Sequence, residues 1–426
     1  MPAKKMITVA PSAARLTESL RDIGYDFSSA LSDLIDNSIA AGAERIEVLI
    51  QFDGQDSSVL IADDGCGMSA NELVEGLRFG TRRSYDKGEL GRYGLGLKTA
   101  SLSQCRRIVV VSRKAVGAER INSRCLDLDL NIQFDDWLVV DPGRDPVVQQ
   151  ARDCVVDGAG TVVVWQNLDR VLPEKNVDGG WARRRFDGLR RKAIEHLGMV
   201  FHRFIEGTPD GRRITILVNG EKVRAWNPYA VDEAQTEELS AQTYEIGTDD
   251  HYGEVRLQRY VLPARDRFSS PGEFDRLAGP LKWNRQQGLY IYRAGRLVQW
   301  GGWGGMRAID EHTKLARASL DFDTDLDTLF NINVAKMRVA LPAQLRVMLE
   351  RPVHELAMRA DETYRKASRK RGARPSDHVG SEPRLGSTAG LALRAAALQA
   401  GEFEAFKRTV AVLKRDSPDV AGTLGL

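Results

Sequence analysis

The sequence predicts an α/β protein, and three observations carry that prediction. Helix-like and strand-like patterns alternate from residue 12 onward. An Asn219-Gly220 pair between alternating segments marks a β-hairpin. A chain of 426 residues, 42% of them hydrophobic, has material for two or three buried cores.

The elements follow in order. Residues 12–20 have the spacing of a short amphipathic helix. Residues 28–41 form a second, with Leu31, Leu34, Ile35 and Ser38 on one face, and Gly42 ends it. Residues 45–52 alternate as a strand, Ile46, Val48 and Ile50 against Glu47, Leu49 and Gln51, and Asp53-Gly54 turns the chain toward a strand at 58–62. A helix over 69–79 leads into a polar, glycine-bearing loop at 80–92. Another helix spans 95–103 before the strand Ile108-Val109-Val110-Val111. A long irregular excursion then precedes a strand at 160–165. Residues 181–206 read as helix, basic on one face. The hairpin around Asn219-Gly220 is expected to open a second, mixed α/β region. Arg365 to Arg371 and the Gly-, Pro- and Ser-rich stretch to Ser387 read as a linker, and alanine- and leucine-rich helices at 388–414 close the chain. The expected domains are 1–206, 207–355 and 356–426.

Charged residues make up 28% and the net charge is +2, so any electrostatic case for nucleic acid must be local. Cys66, Cys105, Cys125 and Cys154 are scattered without a CxxC pair, which argues against a zinc site or a disulfide framework. The start, Met1-Pro2-Ala3-Lys4-Lys5, lacks the apolar core of a signal peptide, and no apolar run reaches membrane-spanning length. The expectation is a cytoplasmic protein with no membrane partner.

Three segments carry the chemistry. Asp33 and Asn37 are four residues apart on the helix at 28–41, hence on one face. Magnesium takes oxygen ligands and keeps most of its waters, which suits the Asn37 amide oxygen beside phosphates. Asp33, one turn earlier, is placed to orient and deprotonate a water, with Asp36 in support from the flank. Taken alone, the same pattern fits a capping acid on a solvated face. Asp63-x-Gly65-x-Gly67 follows a strand. A carboxylate there accepts a hydrogen bond from an adenine amino group, the glycines let backbone pass close under a flat base, and Met68 adds an adaptable apolar contact. A plain Asp-Gly turn is the other reading. Gly91-Arg92-Tyr93-Gly94-Leu95-Gly96-Leu97-Lys98 precedes a helix whose free amides suit phosphate oxygens. No βαβ unit frames it and no Gly-Lys-Ser/Thr is present, which counts against a dinucleotide loop and a Walker loop. Lys98 either faces phosphate or is a solvated lysine. Together, in this order, the segments describe a pocket for ATP and magnesium.

On these residues the chain resembles the GHKL superfamily of ATPases: gyrase B subunit, the ninety-kilodalton heat-shock chaperone, histidine kinases and MutL. The family pattern is Glu-x-x-x-Asn, Asp-x-Gly-x-Gly, and a lid ending in Gly-x-x-Gly-x-Gly. All three occur here, the first with Asp33 in place of glutamate. The resemblance implies a Bergerat-type α+β two-layer sandwich, then a transducer-like α/β domain and a helical tail. It implies that Asn37 is the magnesium ligand, that Ala41 lines the adenine site, and that Asp63 reads the adenine amino group. Residues 80–92 form the lid by the same likeness, and Thr161 shares a water with Asp63. Asp33 takes the general-base position; aspartate is shorter by one methylene, roughly 1.5 Å, which favours slow turnover or binding without hydrolysis. Phe330 to Val339 resembles the transducer loop of MutL, gyrase and MORC proteins, which implies that Lys336 reaches the terminal phosphate and neutralises charge there. Trp283-Asn284 and residues 288–297 resemble the strand and turn before that loop. The opening, from Pro11 to Ala43, is most similar to bacterial MORC-like ATPases, which are often encoded beside restriction or anti-phage genes.

The expected function is an ATP-gated homodimeric clamp on DNA, with ATP and magnesium as cofactors. Arg183, Arg184, Arg185, Arg190, Arg191 and Lys192 and the run at 365–371 would meet phosphates. The alternative is a nucleotide-binding switch with negligible hydrolysis that recruits a protein partner. A chaperone is disfavoured because no charged middle segment or client surface is evident.

Overall fold

The computed structural model describes residues 11–22, 24–80, 96–114, 120–172, 176–248, 251–332 and 339–372, and within the tail 393, 397, 402–417 and 420–421. By internal contacts the chain forms two units, Met1–Arg369 and Lys370–Leu426. Both sheets lie in the first.

Local chemistry starts each early element. Ser12 accepts the Arg15 N–H to begin α1 (Ala13–Arg21), and Asp26 accepts the Ser29 N–H to begin α2 (Phe27–Ala40). β1 (Arg45–Gln51) pairs antiparallel with β2 (Ser58–Asp63) and buries Ile46, Val48 and Ile50, as their alternation predicts. α3 (Ala70–Leu77) opens with a reciprocal Ser69–Glu72 capping box. α4 (Gly96–Leu102) leads to β3 (Arg107–Arg113). The stretch expected to be irregular holds β4 (Asn122–Asp127), α5 (Leu128–Phe134) and α6 (Pro146–Asp153) before β5 (Gly160–Gln166). Its two helices are short and capped by Asp127 and Asp145. α7 (Gly180–Val200) and α8 (His202–Glu206) precede β6 (Thr215–Val218) and β7 (Glu221–Lys222).

The first sheet runs β4-β3-β5-β2-β1-β6-β7. On one face, Leu31, Leu34, Ile35, Leu102 and Leu197 pack with Ile46, Val48, Ile61, Ile108 and Val110. On the other, Val148 and Ala151 of α6 meet Leu60, Val109, Val111, Val162 and Val164. The run at 108–111 is apolar without alternation because both its faces are covered. The β6–β7 hairpin does not open the second sheet. β6 runs parallel to β1, and the Asn219 side chain closes on Ile50, accepting its N–H at 2.9 Å and donating to its carbonyl at 3.0 Å.

The second sheet contains β8 (Glu237–Thr248) and β9 (His251–Val261), followed in sequence by α9 (Pro271–Leu277) and α10 (Lys282–Gln286). β10 (Gly288–Arg293), β11 (Arg296–Trp300) and β12 (Ala316–Phe322) complete it in the order β11-β10-β12-β9-β8. α11 (Ala343–Gly372) adds Leu345, Leu349, Val353, Leu356 and Ala360 to its core, at helical spacing. The boundary expected at 355/356 falls inside this helix. The basic run at 365–371 forms its last turns rather than a linker, with Arg365 and Lys366 paired to Asp361 and Glu362 at 2.8 Å. The second unit holds α12 (Phe403–Asp416), with the Phe403 and Phe406 rings stacked. Among the described residues no helix is long and apolar enough to cross a membrane.

The β10–β11 hairpin is pinned on both sides of its turn. Ala294 and Gly295 both have positive φ, 46° and 79°, the tight two-residue connection between twisted strands. Before the turn, Arg293 meets Asp327 in a two-pronged pair at 2.6 and 2.7 Å, with both side chains buried. After it, Arg296 reaches α2. Replacing Asp327 by alanine should leave the Arg293 charge buried without its carboxylate. Denaturant unfolding is expected to show a loss of about 3–5 kcal/mol, whereas a loss below about 1 kcal/mol would show that the pair does not hold the hairpin.

Candidate functional site

α2 carries the first group of expected site residues, and its polar face is not solvated. Asp33 is 1% exposed and Asp36 is fully buried, while Asn37 is half-buried. The Tyr25 hydroxyl donates to Asp33 Oδ2 at 2.6 Å, and Arg296 Nη2 lies 3.6 Å from Oδ1. Arg296 Nε donates to the Asp36 carboxylate at 2.9 Å, so Asp36 faces the second sheet instead of flanking Asn37. The start of α4 lies against the Asp33 carboxylate: a methyl group built on Gly96 would sit 3.6 Å from Asp33 Oδ2.

Asp63 stands at the end of β2, half-buried. Ser38, one residue after Asn37, donates its hydroxyl to Oδ2 at 2.8 Å, and the Gly65 N–H donates to Oδ1 at 3.0 Å. Burial raises the carboxyl's pKa above the ordinary aspartate value, against the lowering effect of the Ser38, Gly65 and Thr161 hydrogen bonds. The turn then folds back on α2, where the Cys66 N–H donates to the Ala41 carbonyl at 2.9 Å. A Cβ on Gly65 would come within 2.8 Å of the Ala41 Cβ. At Gly67, with φ +64°, a Cβ would lie 2.0 Å from the Arg113 carbonyl oxygen. What these two glycines avoid is thus the chain's own backbone and the end of α2, not only a base.

Ser112, near the end of β3, ties the remaining pieces together. Its hydroxyl oxygen accepts the Met68 N–H at 2.7 Å and lies 2.9 Å from Thr161 Oγ1, and the hydroxyl lies 2.8 Å from the Gly160 carbonyl. Thr161 is opposite Asp63 in the β2–β5 register. Met68 and Leu97 are half-buried against the first core. Lys98 is not a solvated lysine. It is 1% exposed, and its ammonium donates to the carbonyls of Gly76 at 3.0 Å and Arg78 at 2.7 Å, at the C-terminal end of α3.

Asp33, Asn37, Ala41, Asp63, Gly67, Met68, Gly96 and Thr161 therefore belong to one connected region. Arg92, Tyr93, Gly94, Leu95 and Lys336 lie outside the described residues. The donor set fits a magnesium-bound nucleotide: Asn37 offers a half-exposed amide, and the Asp63 carboxylate keeps acceptor capacity beyond the bonds from Ser38 and Gly65. Four participants were not anticipated in these roles: Tyr25, Ser38, Ser112 and Arg296. Ser38 was visible only as a member of the apolar face. Arg296 contacts an acid 260 positions away, which no local pattern encodes.

The fold and this region define a GHKL-type ATPase domain. Residues 25–161 match the histidine kinase-, DNA gyrase B- and HSP90-like ATPase family, so this segment carries a GHKL-type domain, and the relatives it resembles include MutL and MORC proteins. A DNA mismatch repair protein MutL from Phenylobacterium zucineum is 36% identical over 104 residues, 22% of this chain and 16% of the relative. MutL from Sphingopyxis alaskensis is 30% identical over 256 residues, 56% of this chain and 36% of the relative. ATPase MORC2B of Mus musculus is 33% identical over 90 residues, 20% of this chain and 9% of the relative. The matches thus span little more than a third of these relatives at most.

Lys98 yields a pH test of the packing beneath this site. Burial pushes its pKa down from the ordinary 10.5 to about 8, with Glu75 opposing. Between those values the unfolded chain holds the proton and the folded chain does not, so stability rises with pH. Relative to Lys98→Met, the wild type should gain on the order of 3 kcal/mol between pH 8 and 10.5 in denaturant unfolding. A flat difference across that window would mean that the ammonium stays charged in the fold.

Proposed function

We propose that this chain is a nucleotide-driven switch that binds ATP with magnesium between α2, the turn after β2 and the start of α4, and hydrolyses it slowly. The observation that carries the reading is the continuous set of contacts from Gly96 and Asp33, along α2 to Ser38, and through Asp63 to Thr161, Ser112 and Met68. In this reading Asp63 accepts the adenine amino group and Thr161 holds a water beside it. Ala41, Gly67 and Met68 border the base. Asn37 holds the metal, which when bound screens phosphate charge. Arg92 to Leu97 offer backbone amides to phosphates, Asp33 takes a proton from the attacking water, and Lys336 neutralises the terminal phosphate. Lys98 ties the end of α3 to α4.

Two further steps belong to the same proposal: ATP-dependent pairing of two copies, and DNA as the client. The MutL relatives are named for DNA mismatch repair. On α7, Arg183, Arg184, Arg185, Arg191 and Lys192 are exposed and Arg190 is half-buried, and among the described residues no ion pair engages them. The likeness of the opening to bacterial MORC-like ATPases supports a role in restriction or defence against phage. A second reading, binding without turnover and recruitment of a protein partner, is favoured by one observation: the Asp33 carboxylate is buried and already meets Tyr25 and Arg296.

Asp63→Asn and Asn37→Ala should each weaken binding of a fluorescent ATP analogue in magnesium by about 10- to 100-fold, and unchanged affinity would overturn the site. Steady-state hydrolysis separates the two readings, because equal rates for wild type and Asp33→Ala would leave a switch without turnover. Sizing with a non-hydrolysable analogue should show a dimer, and its absence removes the clamp. Filter binding to duplex DNA should weaken with salt and with Arg184→Glu/Arg191→Glu; salt-insensitive retention, or none, removes DNA as the client.

A further inference from the structure

Arg296 is the point at which the second sheet touches the acids of α2. It opens β11 directly after the Ala294-Gly295 turn and is 4% exposed, with its guanidinium 5.9 Å from the Phe201 ring centre. Asp33 and Asp36 are three residues apart, so their side chains are neighbours on one helix surface, and both are buried. Two carboxylates so placed repel one another in a poorly screened interior unless a cation lies between them. Arg296 supplies it: Nε bonds Asp36 at 2.9 Å, and Nη2 stands 3.6 Å from Asp33 Oδ1. The Tyr25 hydroxyl holds the other Asp33 oxygen at 2.6 Å. The Asp33 side chain is therefore bracketed by one group from its own layer and one from the second sheet, with Gly96 beside it.

We propose that Arg296 is a positioning residue: anchored on Asp36, its guanidinium orients the Asp33 carboxylate, so that turnover depends on the seating of the β10–β11 hairpin while nucleotide affinity does not. The proposal rests on the reading of Asp33 as the base that accepts the water's proton. The guanidinium fork is what the arrangement needs. A lysine presents one compact ammonium and does not span both acids with fixed geometry. Arg296 touches neither Asn37 nor Asp63 among its described contacts; of the two acids it does meet, Asp36 anchors it and Asp33 is the one assigned to the chemistry.

The test compares wild type, Arg296→Gln, Arg296→Lys, Asp33→Ala and the Asp33→Ala/Arg296→Gln double variant, each checked by thermal melting. Single-turnover hydrolysis and the affinity for a fluorescent non-hydrolysable ATP analogue are measured on each. Arg296→Gln should lower turnover by about 10- to 100-fold with affinity within about threefold, and Arg296→Lys should fall between it and wild type. In the Asp33→Ala background, Arg296→Gln should cause no further loss, because both changes remove one function. If Arg296→Gln does not fold, Arg296→Lys decides: reduced turnover at unchanged affinity supports the proposal, and wild-type turnover overturns it. Affinity falling in parallel with turnover, or an equal loss in the Asp33→Ala background, also overturns it while leaving the ATPase reading intact. A wild type that binds the analogue but turns over no faster than Asp33→Ala removes the base assignment, and the proposal with it.

Discussion

Two carboxylates buried within one turn of α2 set the constraint on which the rest of this fold depends. Taking charge out of water costs several kcal/mol per ion unless partners replace the lost hydration. Tyr25, just before α2, and Arg296, from another sheet, are those partners. The hairpin that delivers Arg296 therefore has to be seated accurately, and the Arg293–Asp327 pair and the positive-φ turn do so. α8 adds a second tie, because Arg203 pairs with Asp321 and lies 3.4 Å from the Tyr292 ring centre. The two sheets are joined through charged and aromatic side chains whose geometry is directional, not through apolar contact alone.

A second constraint is the close approach of the strand-end turn to α2. Gly65 and Gly67 look like a ligand-binding signature in sequence, yet each has a steric reason within the protein, at Ala41 and at the Arg113 carbonyl. The two reasons are compatible. A turn pressed this tightly onto its neighbours holds the Asp63 carboxylate in one orientation, with Ser38 and the Gly65 amide bonded to it before any ligand arrives. Preorganised polar groups of this kind bind without a reorganisation cost.

Lys98 shows how a charged residue inside a motif serves the scaffold. Its ammonium collects carbonyls that the end of α3 leaves without helical partners, and so holds α3 and α4 together below the site. A surface lysine would have left those carbonyls to water. The cost is a desolvated charge, visible in its lowered pKa.

Much of this was legible in the chain itself, because periodicity reports how one element is buried without naming its neighbour. The helices at α2, α3 and α7 and the strands β1, β2, β3 and β5 follow from spacing. The order of the three motifs likewise identified the superfamily domain matched at 25–161. The elements β4, α5 and α6 sit among Asp-, Gly- and Pro-bearing connections that read as loop, and they were missed. Tertiary structure alone decided that the Asn219-Gly220 hairpin joins β1, that Asp36 turns toward the second sheet, and that Lys98 is interior. Each of these depends on a partner far away in sequence, and the choice among distant partners is settled by which buried charges and amides find complements when the layers close.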